Sequence, residues 1–268
     1  MFKSLSEMPD EYVAQIDAKN SVKRPIDADG GREYGNNIAY NFQSKSKAGS
    51  VLMVREGGSR RFPTEGPRGS YPEAYYQCVA STEKWAPRVK ASYSIRNDET
   101  IRALKLDAEM KPYSVIETNR LDITLEEYIT EYLDEGDDEA LGKLDVAIAK
   151  FLTAAKNSSV CHGDLHTENV MLRVIEDDEG NYMPGRLYAI DWETGRGRAE
   201  HTTCGDLKRF FEAETFGVTP LISRHAECFP RTMRFLERQS KTDKSLAFAL
   251  ARIEAGSEER MNGDGESD

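Results

Sequence analysis

One stretch of this chain leaves little freedom for what can surround it: Cys161 to Glu193. It opens with Cys161-His162-Gly163-Asp164-Leu165-His166-Thr167-Glu168-Asn169 and runs on through the apolar Val170-Met171-Leu172. After a polar, glycine-containing gap come Leu187-Tyr188-Ala189-Ile190 and then Asp191-Trp192-Glu193. Two apolar runs of strand length joined in this way read as a hairpin. An Asp and an Asn stand five positions apart ahead of it, and a second Asp ends the returning strand. Phosphoryl transfer needs such a set: one carboxylate to orient an attacking hydroxyl, and an amide with a second carboxylate to hold a metal on nucleotide phosphates. Asp164 is therefore the candidate catalytic residue, and Asn169 and Asp191 are the candidate metal ligands. Plainer readings stand beside these. Gly-Asp is common in turns, and an Asn can cap a helix or a turn. A carboxylate at the end of an apolar strand, such as Asp191, is poorly suited to a core role.

Composition narrows the classes of function. The length, 268 residues, suits one two-lobed domain or two small ones. A formal net charge of −11 argues against a nucleic-acid-binding face. The longest apolar run, Leu246 to Ala251, is too short to span a bilayer, and the N-terminus lacks the apolar core of a signal peptide. A cytoplasmic protein with no nucleic-acid or membrane partner is expected; its oligomeric state is not readable. Cys78, Cys161, Cys204 and Cys228 show no paired metal-type spacing and are expected as reduced thiols. The histidines are scattered, which gives a zinc site little support. The acidic run Asp134 to Glu139 and the acidic C-terminal end read as a solvated loop and tail.

The order of elements is mixed at first and helical later. Residues 22–42 suggest a strand, a glycine turn at Gly30-Gly31 to Gly35, and a returning strand; Ser50 to Arg55 is a short buried strand. Gly57 to Gly69 reads as a loop. Ser70 and Glu73 have capping-box spacing, with Pro72 in the first turn, for a helix to about Thr82. Strands are expected over 87–95 and 112–117. Thr124-Leu125-Glu126-Glu127 is a second capping box, opening a helix to about Leu133. Leu141, Leu144, Ile148, Phe151, Leu152 and Ala155 recur at helical spacing and predict the strongest helix, ending at Asn157. Past Asp206 three helical segments are expected up to Ala255, followed by a disordered acidic tail over 256–268. The fold class is α+β, with a strand-rich lobe over 1–117 and a mainly helical lobe over 118–255. A P-loop reading of Gly136 to Lys143 fails, because the spacing is one residue too long and Leu144 stands where Ser or Thr is needed.

These motifs resemble the kinase-like phosphotransferase superfamily. His162 to Asn169 is most similar to the aminoglycoside phosphotransferase and choline kinase branch, which favours a His two residues after the catalytic Asp. Protein kinases usually carry Arg in place of Gly163, Lys in place of His166, and Asp-Phe-Gly where this chain has Asp191-Trp192-Glu193. Gly205-Asp206-Leu207 falls where the small-molecule branch places an Asp-Leu pair. The resemblance implies a two-lobed protein-kinase-like fold, ATP and Mg²⁺ as cofactors, and transfer of the γ-phosphate to a hydroxyl. The acceptor is a small molecule, or alternatively a protein; a pseudokinase binding module is the third reading.

The resemblance also implies roles for individual residues. His162 packs under the loop, and His166 faces the phosphates or lies on the surface. Glu193 supports the metal ligands without binding the ion itself, or is a solvated loop acid. Asp206 braces the loop from behind, caps the following helix, or does both. The phosphate-binding Lys of the family has no clear equivalent. Arg55 ends the matching strand, with Lys47 and Lys90 as substitutes, and Glu73 is its helix partner unless Glu73 merely caps. Gly30, Gly31 and Gly35 would cover the phosphates. The backbone of Glu117, Thr118 and Asn119 would meet the adenine.

Overall fold

The structure, a computed structural model, describes residues 6–7, 24–25, 39–43, 50–55, 72–95, 98–103, 108–110, 113–177, 180–198, 204–212 and 217–263. The chain divides into two compact units, one of residues 1–82 with 87–120, the other of 83–86 with 121–268.

The first unit is built on a six-stranded sheet. In chain order its strands are β1 (Ser6–Glu7), β2 (Arg24–Pro25), β3 (Ala39–Gln43), β4 (Ser50–Arg55), β5 (Val89–Ile95) and β6 (Tyr113–Asn119), arranged β1-β5-β6-β4-β3-β2. All neighbours are antiparallel except β1 with β5. The central β6 is the best protected, with Tyr113 to Thr118 all buried. A strand flanked on both sides has no free backbone edge, and its Val115-Ile116 pair suits a pleated, packed setting. Helix α1 (Pro72–Thr82) begins at the proline, as its fixed φ and missing N–H allow. A short helix α2 spans Asp98–Ala103. The expected strand and returning strand near residues 22–42 pair as β2 and β3, with Arg24 opposite Asn41; their glycine turn and the loop 57–69 lie outside the described residues.

The second unit carries two small sheets and most of the helices. Strands β7 (Ile123–Thr124), β9 (Val170–Glu176) and β10 (Tyr182–Ala189) form one sheet, while β8 (Val160–Cys161) pairs with β11 (Arg196–Gly197). Thr124 caps the next turn, its Oγ1 accepting from Glu127 N at 3.0 Å. The expected helix there is shorter and irregular: α3 (Leu125–Glu127) passes into a π-turn over Tyr128–Tyr132. Helix α4 (Asp138–Asn157) is capped by Asp137, which accepts from Glu139 N and Ala140 N. Its six predicted apolar positions are all buried. After it come α5 (Asp206–Phe211), α6 (Val218–Arg224), α7 (Pro230–Ser240) and α8 (Lys244–Gly263). Among the described residues four helices thus replace the expected three, and the last runs on past Ala255 to Gly263, because Glu258-Glu259-Arg260-Met261 are good helix formers.

An aromatic chain fills the core of this unit. Trp85 lies edge-on to Trp192 at 4.7 Å and to Phe151 at 6.2 Å, and Phe151 meets Phe210 at 5.7 Å. Asp145, buried within α4, accepts from Arg231 N at 3.1 Å and Thr232 N at 2.8 Å. It thereby satisfies the orphan amides at the start of α7, whose own N-cap, Phe229, has no side-chain acceptor. Among the described residues no helix is long and apolar enough to cross a membrane.

The cysteines depart from expectation. Cys161 and Cys204 form a disulfide with Cα atoms 5.6 Å apart, whereas Cys78 and Cys228 are free. The two partners are 43 residues apart in sequence. They meet because β8 and the residues leading into α5 converge, which no cysteine spacing could reveal. The expectation of four reduced thiols is therefore corrected for this pair.

Candidate active site

The segment between β8 and β9 is a tight loop held from three sides. His162 is fully buried. Its Nε2 donates to the carbonyl of Ile190 at 2.6 Å, and its Nδ1 accepts from Asp164 N at 3.3 Å. That pair of bonds selects the Nε2–H tautomer. Burial pushes the pKa of the ring below its ordinary value, against the nearby carboxylates of Asp191, Asp206 and Asp164, so the imidazole is neutral near pH 7. Trp192 lies edge-on to it, with ring centres 4.7 Å apart. His162 is thus a structural pin joining the loop to the end of β10.

Asp206 holds the same loop from the far side. Its two carboxylate oxygens accept from His162 N at 2.8 Å and Gly163 N at 2.7 Å. It does not cap its own helix, since the N-cap of α5 is Gly205 and lacks a side-chain bond. Of the two roles open from the sequence, bracing is the one the geometry displays. The third clamp is Thr194, whose Oγ1 donates to the carbonyl of His162 at 2.8 Å. Gly163 has φ +89°, and a Cβ there would lie 2.6 Å from the carbonyl oxygen of Thr194. Only glycine fits there without displacing backbone.

With the loop fixed, Asp164, His166 and Asn169 are brought together. Asn169 Nδ2 donates to the backbone carbonyl of Asp164 at 2.9 Å and to His166 Nε2 at 2.9 Å. The Asn169 carbonyl accepts from Ile190 N at 2.9 Å, the residue before Asp191. The Asn169 amide nitrogen is therefore fully used, and its Oδ1 has no hydrogen-bond partner among the described residues. Asp191 has a left-handed backbone, φ 59° and ψ 68°. A non-glycine residue held there carries local strain, a feature concentrated at functional sites. Glu193 follows in a short 3₁₀ turn, half-buried.

His166 is turned toward this group. Its Nε2 accepts from Asn169, and its Nδ1 lies 3.4 Å from a Glu168 carboxylate oxygen. It supports the Asn169 amide. Asp164 presents a carboxylate 45% exposed, with Oδ1 ion-paired to Arg209 Nη1 and Oδ2 3.9 Å from His166 Nε2. Arg209 was not singled out from the sequence. The available signal was its place three residues after Asp206, which puts both on one helix face.

The candidates of the first unit fall differently. Glu73 is buried on α1. Arg55 ends β4 opposite Ser114 of β6, and only its backbone is described, so the Arg55–Glu73 pairing lies outside the described residues. Gly30, Gly31, Gly35 and Lys47 also lie outside them, while Lys90 is exposed on β5. Glu117 pairs in register with Leu52 and Ala91, and Asn119 N donates to the carbonyl of Arg88 at 3.3 Å. The Asn119 carbonyl accepts from the Thr118 hydroxyl at 2.8 Å.

The fold is similar to that of a solved structure described as WaaP in complex with acyl carrier protein: TM-score 0.52, 16% identity, covering 95% of this chain and 99% of that one. By sequence, no protein-family model and no curated protein matches the chain.

Proposed function

We propose that this chain is an ATP-dependent phosphotransferase that moves the γ-phosphate to a hydroxyl, with a small-molecule acceptor. One observation carries the reading: Asn169 donates to the backbone carbonyl of Asp164 and accepts from the backbone of Ile190, so the loop bearing Asp164 and Asn169 is tied directly to the residue before Asp191. Asn169 Oδ1 and the Asp191 carboxylate are hard oxygen donors, the kind that holds Mg²⁺ alongside water and phosphate oxygens. Bound there, the metal would neutralise charge on the phosphates. Asp164 would accept the hydrogen bond of the attacking hydroxyl and aim it. The chain supplies positioning more than covalent chemistry. A cytoplasmic setting, where ATP is abundant, suits this function, and there the Cys161–Cys204 bond would meet reductant.

Two measurements test the reading. ATP with Mg²⁺ should raise the thermal midpoint, since a ligand at about 100 times its Kd stabilises by about 2.7 kcal/mol; no shift for wild type would point to a fold without a nucleotide site. Incubation with γ-labelled ATP and cell extract should then place label on small molecules, and Asp164→Ala should abolish transfer. Label on protein bands would instead assign a protein acceptor, and undiminished transfer by the variant would remove Asp164 from its role.

A further inference from the structure

The ion pair between Arg209 and Asp164 belongs to no part of the reading above. It joins the proposed hydroxyl-orienting carboxylate to a helix that already grips the same loop. Asp206 and Arg209 are three positions apart on α5 and so share a face. The first binds the backbone amides of His162 and Gly163; the second binds the side chain of the next residue. Helix α5 therefore sets both where the loop runs and how the Asp164 carboxylate is turned.

The division of the two carboxylate oxygens gives this contact a purpose. Arg209 takes Oδ1. Oδ2 is left on the side of His166, 3.9 Å from its Nε2, and that same nitrogen accepts from Asn169. The oxygen left for an acceptor is thus the one on the Asn169 side, where a nucleotide phosphate held through Asn169 would lie. An Asp carboxylate has a broad, roughly two-fold terminal torsion. Among the described residues nothing else holds the Asp164 side chain so closely. Both partners are about half exposed, Arg209 at 52% and Asp164 at 45%. Exposed ion pairs contribute little to stability, so a purely structural purpose is poorly served by this contact.

We propose that Arg209 is a positioning residue for the transfer: it anchors Oδ1 of Asp164 so that Oδ2 is presented to the acceptor hydroxyl. This rests on the phosphotransferase reading, and the experiment separates the two. ATP turnover is measured with Mg²⁺ and water as the acceptor, for wild type, Arg209→Ala, Arg209→Lys, Asp164→Ala and the double Ala variant.

Arg209→Ala should lower kcat roughly 10-fold, inside the loss of about 100-fold that misplacing a reacting group by about 1 Å can bring. The KM for ATP should stay within about two-fold, and the thermal midpoint within about 2 °C. Arg209→Lys should recover part of the lost kcat, because it keeps the charge and loses the planar fork. In the Asp164→Ala background, Arg209→Ala should add no further loss, since the two residues act as one unit.

An Arg209→Ala variant with wild-type kcat, beside an inactive Asp164→Ala, overturns this proposal and leaves the phosphotransferase reading standing. Additive losses in the double variant, or a changed KM with unchanged kcat, also overturn it. Full turnover by Asp164→Ala, or none by wild type, overturns both.

Discussion

Replacing Gly163 by Ala tests how the loop is built. Two terms oppose the methyl group. The backbone has φ +89°, and the left-handed side of φ/ψ space costs an L-residue about 1–2 kcal/mol. The added Cβ would also lie 2.6 Å from a backbone oxygen, that of Thr194, so backbone has to move. Forced overpacking of this kind adds about 1–3 kcal/mol. Gly180 provides the control, with nearly the same φ, +87°, and nothing within 4 Å of its Cβ position. Gly180→Ala should therefore register only the conformational term, about 1 kcal/mol after the entropy that Ala removes from the unfolded chain. Gly163→Ala should exceed it by about 1–3 kcal/mol. Urea unfolding followed by tryptophan fluorescence reads the right unit, because the only two tryptophans, Trp85 and Trp192, both lie there. Midpoints are compared at equal m-values. Equal destabilisation by the two substitutions, within about 0.5 kcal/mol, would show that the Thr194 carbonyl yields freely and that the loop is not clamped as described.

Three further outcomes are expected. Denatured, unreduced protein should react with a thiol probe at two cysteines and reduced protein at four; Cys204→Ser should lose up to about 4 kcal/mol on a chain-entropy view of the loop that the bond closes. Phe151→Ala, which empties the centre of the aromatic chain, should lose about 3–5 kcal/mol in the same urea assay. Burial raises the pKa of Glu83, but hydrogen bonds from Ser158 and Ser159 outweigh it and hold the carboxyl below its usual value. Its stabilising contribution is then complete above the unfolded carboxylate pKa and fades as pH falls through the folded one. The stability gap between wild type and Glu83→Gln should accordingly be widest at neutral pH and close below about pH 4; a gap independent of pH would contradict this.

Much of this molecule could be read locally. Helix α4 was legible because six apolar side chains at helical spacing need one buried face, and all six are buried. The β9–β10 hairpin was legible from two apolar runs around a polar turn, and the Thr124 cap from its box spacing. The irregular turn after α3 was not, because Tyr128 leaves the helical ladder to pack inside and send its hydroxyl to the carbonyl of Tyr182, 54 residues away. Asp164, Asn169 and Asp191 could be chosen as a set because their order and spacing suit one chemistry.

Tertiary structure decided the rest. It chose bracing over capping for Asp206, joined Cys161 to Cys204, set Arg209 against Asp164, and placed Asp145 under the start of α7. Each of these pairs is separated by more than 40 residues. Periodicity and caps are determined within a few residues, by backbone geometry and the need to bury one face. Which distant carboxylate meets which amide depends on how whole elements pack, and no local pattern carries that information.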